Sequence, residues 1–179
     1  MLKRSLAVAV VLCVAAGCAS ESTEQLGGMA SPQLSSQDNT FFRNITEANL
    51  TEIQSSQMAL QSAKSPDVKG FAQQMISDHE TAAAQLDAVA KSKGVQLPKM
   101  LDDSHKDMVD GLNGKTGDDF DKAYIEMQIK AHQEAINLDQ DEADNGTDPD
   151  VKSTAAGLLP TLKHHLNMAQ QIQTKMMGM

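Results

Sequence analysis

Four side chains able to bind a metal or carry a proton fall on helical stripes of mostly apolar residues, one on each of four long segments: Glu52, His79, His132 and His165. Glu52 lies 14 residues before Pro66 and His79 lies 13 after it. In an antiparallel hairpin turning at Pro66 they face each other, about 20 Å from the turn at about 1.5 Å per residue. His132 lies 17 before Pro149 and His165 lies 16 after it, again facing. Segments of this length make helices of about 40 Å, so both pairs fall near mid-height whichever end each hairpin closes. Three imidazoles and a carboxylate converging there suit one transition metal ion, Cu, Zn or Fe. Met75 and Met168, a turn from His79 and His165, are auxiliary candidates whose thioethers favour copper, and Asp78 is a third auxiliary candidate. The same residues have a plainer reading, since most histidines on an apolar face are core residues with one hydrogen-bond partner. A buried Glu52–His79 pair would then need no metal. His105 and His164 read as peripheral.

The segments that must position these residues read as helices. From Asp38 to Ala63, Phe41, Ile45, Ala48, Glu52, Ser56, Ala59 and Ala63 recur at steps of three and four. Ser65-Pro66 restarts the chain as a helix running to about Lys93, with Gly94 and Pro98 beyond it as stop signals. A short helix is expected over 99–112 and a turn at Asn113–Gly117. A third long helix runs from Asp118 to Ala143 on a stripe of Phe120, Tyr124, Met127, Ala131 and Leu138, with His132 beside it. The fourth is capped by Asp148 and opened by Pro149. Pro160 lies inside it and predicts a kink rather than a break. Aromatic residues make up 3% and hydrophobic residues 40%, so small and aliphatic side chains must fill the core, which suits helix-on-helix packing.

The amino terminus reads as an address. Lys3 and Arg4 precede an apolar run from Ser5 to Ala16, too short to span a bilayer comfortably. Val14-Ala15-Ala16-Gly17-Cys18 resembles the bacterial lipoprotein cleavage box, with Ala15 where that pattern usually has Leu. The resemblance implies that residues 1–17 are a signal peptide and that Cys18 becomes the lipidated first residue of the mature chain. Cys13 leaves with the leader, so no second thiol remains for an intrachain disulfide. Ala19 after the cysteine favours the outer membrane, facing the periplasm. Residues 18–37, rich in Ser, Gln, Gly and Glu, read as a flexible tether, and 38–177 as the bundle domain. The formal charge of −9 becomes −11 once Lys3 and Arg4 are removed. No basic stripe survives, which excludes nucleic acid as an expected partner and leaves the lipid on Cys18 as the expected membrane contact. Asn44, Asn49 and Asn145 each begin an Asn-x-Thr triplet, read here as carrying no meaning.

Several motifs together resemble the bacterial family called domain of unknown function 4142, placed with the ferritin-like helical bundles. They are Glu52 with Ala59-Leu60, Ser65-Pro66-Asp67-Val68-Lys69 with Phe71-Ala72, Met75-Ile76-Ser77-Asp78-His79, Gly94 to Pro98, and His105. Gly117 with Phe120-Asp121 and Tyr124, then His132, then Leu159-Pro160-Thr161-Leu162 with His165, complete the set. The resemblance spans about Thr40 to Gln171. It implies an all-α, ferritin-like four-helix bundle with a long crossover, here residues 94–117, containing a short extra helix. It does not bring the ferritin-like di-iron site, because Ile76 and Leu162 stand where a Glu-x-x-His motif would have its glutamate.

An enzyme is the least favoured reading: beyond Cys18 the mature chain has no thiol nucleophile, and it has no phosphate loop or glycine-rich cofactor fingerprint. The leading expectation is an envelope lipoprotein with a non-catalytic structural, stress-related or partner-binding role, docking another envelope protein. The alternative is a metal-binding protein using the Glu52/His79/His132/His165 core.

Overall fold

A computed structural model describes residues 34–178. The helix starts follow from local chemistry. Ser35 and Asp38 form a reciprocal capping box that opens α1, Ser36–Ser62. The helix therefore begins ahead of Asp38, which is its third residue and not its first as the sequence suggested. Pro66 occupies the first turn of α2, Pro66–Ser92. Ser65 sits at its N-cap without a side-chain capping bond. The backbone N–H groups of Lys64 and Ser65 donate instead to the Asp121 carboxylate, at 3.0 and 2.8 Å. Gly94, at φ +72°, ends α2 in a left-handed cap, with Val95 N–H bonded back to Ala90 O at 2.9 Å.

The crossover carries α3, Asp103–Asp110, shorter than expected because Asp102 caps it only after Pro98 and Gly111 closes it. Then follow α4, Gly117–Asn145, and α5, Pro149–Met177, which runs unbroken through Pro160. The Asp148 carboxylate caps α5 by accepting from the N–H groups of Asp150 and Val151. The expected tether and Cys18 lie outside the described residues, apart from 34–37.

Around the bundle, α1 neighbours α2 and α4, and α5 neighbours α4 and α2. The ends fix the directions. Asp38 at the start of α1 accepts from Thr147 Oγ1 beyond the end of α4, at 2.6 Å. Lys175 near the end of α5 pairs with Asp67 at the start of α2, at 2.9 Å. Each neighbouring pair is therefore antiparallel, the two hairpins turn at opposite ends, and residues 94–116 must travel the length of the bundle. On the way α3 packs against α1.

The apolar core divides into two clusters. One, toward the α1–α2 turn, holds Ala59, Val68, Phe71, Met75, Phe120, Tyr124, Ala169 and Ile172. The other, toward the α4–α5 turn, holds Phe41, Phe42, Ile45, Leu86, Val151, Ala155, Leu158 and Leu162. Between them lie buried polar residues: Asn49, Glu52, Ser55 and Ser56 of α1, His79 of α2, Gln128 and His132 of α4, and His165 of α5. Burying polar groups at mid-bundle is costly unless they are bonded. The α4 stripe also differs from expectation. Gln128, Asp139 and Glu142 are fully buried, whereas Met127 and Leu138 are only half-buried, so His132 lies at the centre of the inward face and not beside it.

Candidate metal centre

The mid-height layer brings Glu52, His79, His132 and His165 together. Each imidazole is at most 4% exposed. Three ring nitrogens, one from each histidine, lie within 4.8 Å of one another.

The surrounding bonds decide which nitrogens face inward. Asn49 Nδ2 donates to the His79 carbonyl at 2.9 Å, which orients the amide and turns Asn49 Oδ1 onto His79 Nδ1 at 2.7 Å. An amide oxygen only accepts, so His79 carries its proton on Nδ1. His132 Nδ1 lies 2.9 Å from the Gln128 carbonyl, which also only accepts, so that nitrogen is the protonated one. His165 Nε2 lies 2.8 Å from Asp78 Oδ2, which fixes its proton there. Three bare nitrogens remain: His79 Nε2, His132 Nε2 and His165 Nδ1. His132 Nε2 and His165 Nδ1 are 3.3 Å apart, and His79 Nε2 is buried without any hydrogen-bond partner.

Burial keeps these rings neutral. It pushes His79 well below the usual imidazole range, helped by the neighbouring imidazoles. It lowers His132 to about 4 against the opposing bond to Gln128, and it lowers His165 against the pull of Asp78. The centre is thus three neutral imidazoles packed together, with His132 Nε2 against His165 Nδ1 and His79 Nε2 left without a partner.

Glu52 does not point at the lone pairs. Its Oε2 lies 3.1 Å from His79 Nδ1 and its Oε1 3.2 Å from His132 Nδ1, on the protonated edges of both rings. Those N–H bonds are aimed at Asn49 and Gln128, which leaves Glu52 Oε1 without an aligned donor. Burial, then the charge of Asp139, raises the Glu52 carboxyl to about 8. Asp78, the auxiliary candidate, touches His165 on its outer nitrogen. Met75 is buried in the apolar cluster with Phe71 and Tyr124, and Met168 is half-buried against the same cluster. His164 is exposed, and His105 is half-buried on α3. Asn49 and Gln128 were missed by the sequence reading. An Asn on the inward helix face, three residues before Glu52, was the available signal.

A cavity of about 20 Å³ lies against Glu52, His79 and His165, room for about one water-sized species. Asp78 and Thr161 stand at its outer side, between α2 and α5.

The bundle and this layer together define a class, antiparallel four-helix proteins with a long crossover and a histidine-rich polar layer at mid-height. Within that class the chain belongs to the family described as domain of unknown function (DUF4142), whose profile matches residues 23–172. Its fold is similar to that of a DUF305 fragment from Deinococcus radiodurans, at 14% identity and a TM-score of 0.71, covering 80% of this chain and 99% of that one. It is also similar to CopM in a Cu(II)-bound form, at 23% identity and a TM-score of 0.64, covering 76% and 96%. CopM in an Ag-bound form gives 21% identity and a TM-score of 0.63, covering 77% and 96%. At these identities the likeness is one of fold. No curated protein sequence matches the chain.

Proposed function

We propose that this protein binds one transition metal ion, copper first among them, at His79 Nε2, His132 Nε2 and His165 Nδ1. The observation that carries the reading is the meeting of three buried imidazoles, each offering a ring nitrogen within 4.8 Å of the other two, with His79 Nε2 left without a partner. Ligand nitrogens about 2.0–2.1 Å from a tetrahedral or trigonal metal stand about 3.3–3.6 Å apart. The His132–His165 pair is already at 3.3 Å, within that range. Neutral imidazole suits copper, zinc and iron. CopM, with a similar bundle, has been solved with Cu(I), Cu(II) and Ag bound, and this makes copper the first ion to offer.

The groups behind the rings fit the role of an outer shell. Asn49, Gln128 and Asp78 hold each ring in one tautomer, as outer partners do in metal sites. Glu52 would supply charge balance. A cation among the imidazoles favours its ionised form, and one buried negative charge matches one monovalent ion. The open space beside the centre holds about one small ligand, which supports storage, transfer or sensing of the ion.

The same proposal extends to location: the leader pattern around Cys18 supports a site held in the cell envelope on a lipid tether at the outer membrane. Radiolabelled palmitate incorporated by the native chain and not by Cys18→Ala is the expected result; equal labelling of both would remove that part.

The metal reading is tested by elemental analysis after offering Cu, Zn and Fe, with unbound ions removed. About one ion per chain at this centre is expected, lost in His132→Gln/His165→Gln with the helical signal retained. A chain that binds none of the three, or that keeps its full complement in the variant, would overturn the reading.

A further inference from the structure

A second cluster lies away from the core, where the crossover meets the bundle. Glu47 of α1, Asp102 at the N-cap of α3 and His105 in its first turn each offer one ligand atom, all within 4.8 Å of one another. Its parts are held independently. The Asp102 Oδ1 accepts from the His105 backbone N–H at 2.8 Å and lies 2.7 Å from His105 Nδ1. One carboxylate thus caps the helix and holds the imidazole with Nδ1 beside it, where an arriving ion would take Nδ1 and leave the ring proton on Nε2. Those same bonds hold the Asp102 carboxyl below its usual range. Glu47 is the unusual member: only 8% exposed, yet without a cation within salt-bridge reach or a hydrogen bond to its carboxylate among the described residues.

A groove of about 380 Å³ between α1, α3 and α4 opens beside the cluster, and Glu134 contributes a further carboxylate to its wall. This groove adjoins Thr51, Ala131 and Ala135, whereas the core cavity lies beside Asp78 and Thr161, so separate residues give access to each.

We propose that Glu47, Asp102 and His105 form a second cation site, taking a divalent first-row ion such as Zn²⁺ through two oxygens and one nitrogen. Water completes the shell from the groove side. The donor set is harder than that of the core, which separates the ions the two sites prefer. Binding clips α3 to α1, and α1 is the long helix against which α3 packs. The site therefore couples ion binding to the order of the crossover.

Hydrogen exchange along the full chain reads this directly. Zn²⁺ at ten times its dissociation constant is expected to slow exchange of the α3 amides about tenfold. His105→Gln and Glu47→Gln should abolish that slowing. Asp107→Asn, on α3 but outside the cluster, should retain it. The core site reports separately through the α2 and α5 amides, so either site can fail alone. Exchange in α3 that is unchanged by Zn²⁺, or slowed equally in His105→Gln and the native chain, would overturn the second site.

Discussion

His132 Nε2 and His165 Nδ1 face each other at 3.3 Å with a lone pair on each, because the opposite nitrogens are committed to the Gln128 carbonyl and to Asp78. Two acceptors at that distance repel unless a cation sits between them. With His79 Nε2 as the third member, the relationship turns three ordinary core histidines into a donor set.

The Asp78 contact gives the first prediction. Asp78 touches the ring's outer nitrogen and is partly exposed, so Asp78→Asn should leave the fold intact while loosening the tautomer of His165. Loss of an outer-shell partner typically weakens metal binding about 10- to 100-fold. Competition against a copper chelator would measure it, and an unchanged affinity would show that Asp78 does not tune the site.

Asn49 makes two buried bonds across the α1–α2 hairpin, one to the His79 carbonyl and one to its ring. Asn49→Ala strands both partners. The expected loss of stability is about 1–3 kcal/mol from buried groups left unpaired, read from urea unfolding of the metal-free protein. Weaker copper binding should accompany it. A variant as stable as the native chain would mean the hairpin is held elsewhere.

Much of this was legible in the sequence, and the limits have physical causes. The heights of Glu52, His79, His132 and His165 followed from counting residues to Pro66 and Pro149, because α-helical rise is constant. The crossover was legible from Gly94, Pro98 and the Asn113–Gly117 turn. The buried polar residues were not. Asp139 and Glu142 occupy inward positions of α4, whereas the apolar periodicity of that segment runs through Met127 and Leu138, which are only half-buried. Rotation of a helix by part of a turn changes which neighbour is buried without changing the period. Nor could spacing say that Glu52 meets the protonated edges of the rings, since that depends on which nitrogen each backbone carbonyl and amide claims.

Asp139 carries a pH prediction. Burial, then the charge of Glu142, raises its carboxyl to about 8, and neither of its oxygens has a hydrogen bond. A raised folded-state value means the native chain holds a proton that the unfolded chain has released. The resulting stability is complete below about pH 4 and is lost as the pH climbs through about 8. The imidazoles act oppositely, lowering stability only below about pH 6.5, where the unfolded chain protonates. Between about pH 6.5 and 8 the carboxyls therefore act alone. Stability of the metal-free protein should fall there by about 1 kcal/mol per pH unit for Asp139, with Glu52 adding to the fall, and Asp139→Asn should lessen it. Urea midpoints measured across the window check it, and stability that holds level or rises in the native chain would contradict it.

Gly146 follows α4 at an ordinary backbone angle, φ −56°, so its lack of a side chain serves space. A Cβ there would stand 2.3 Å from Glu142 Oε1 and 2.6 Å from the Glu142 carbonyl. Gly146→Ala should cost about 1–3 kcal/mol by crowding a packed position. Thermal unfolding would show it as a lowered midpoint, and an unchanged midpoint would mean the α4–α5 turn yields freely.

X-ray absorption at the copper edge of the loaded protein reads the ligand atoms of the centre. A shell of three imidazole nitrogens at about 2.0 Å is expected, with the outer-ring scattering that imidazole produces. A shell made of oxygen or thioether sulfur, with no imidazole scattering, would contradict it.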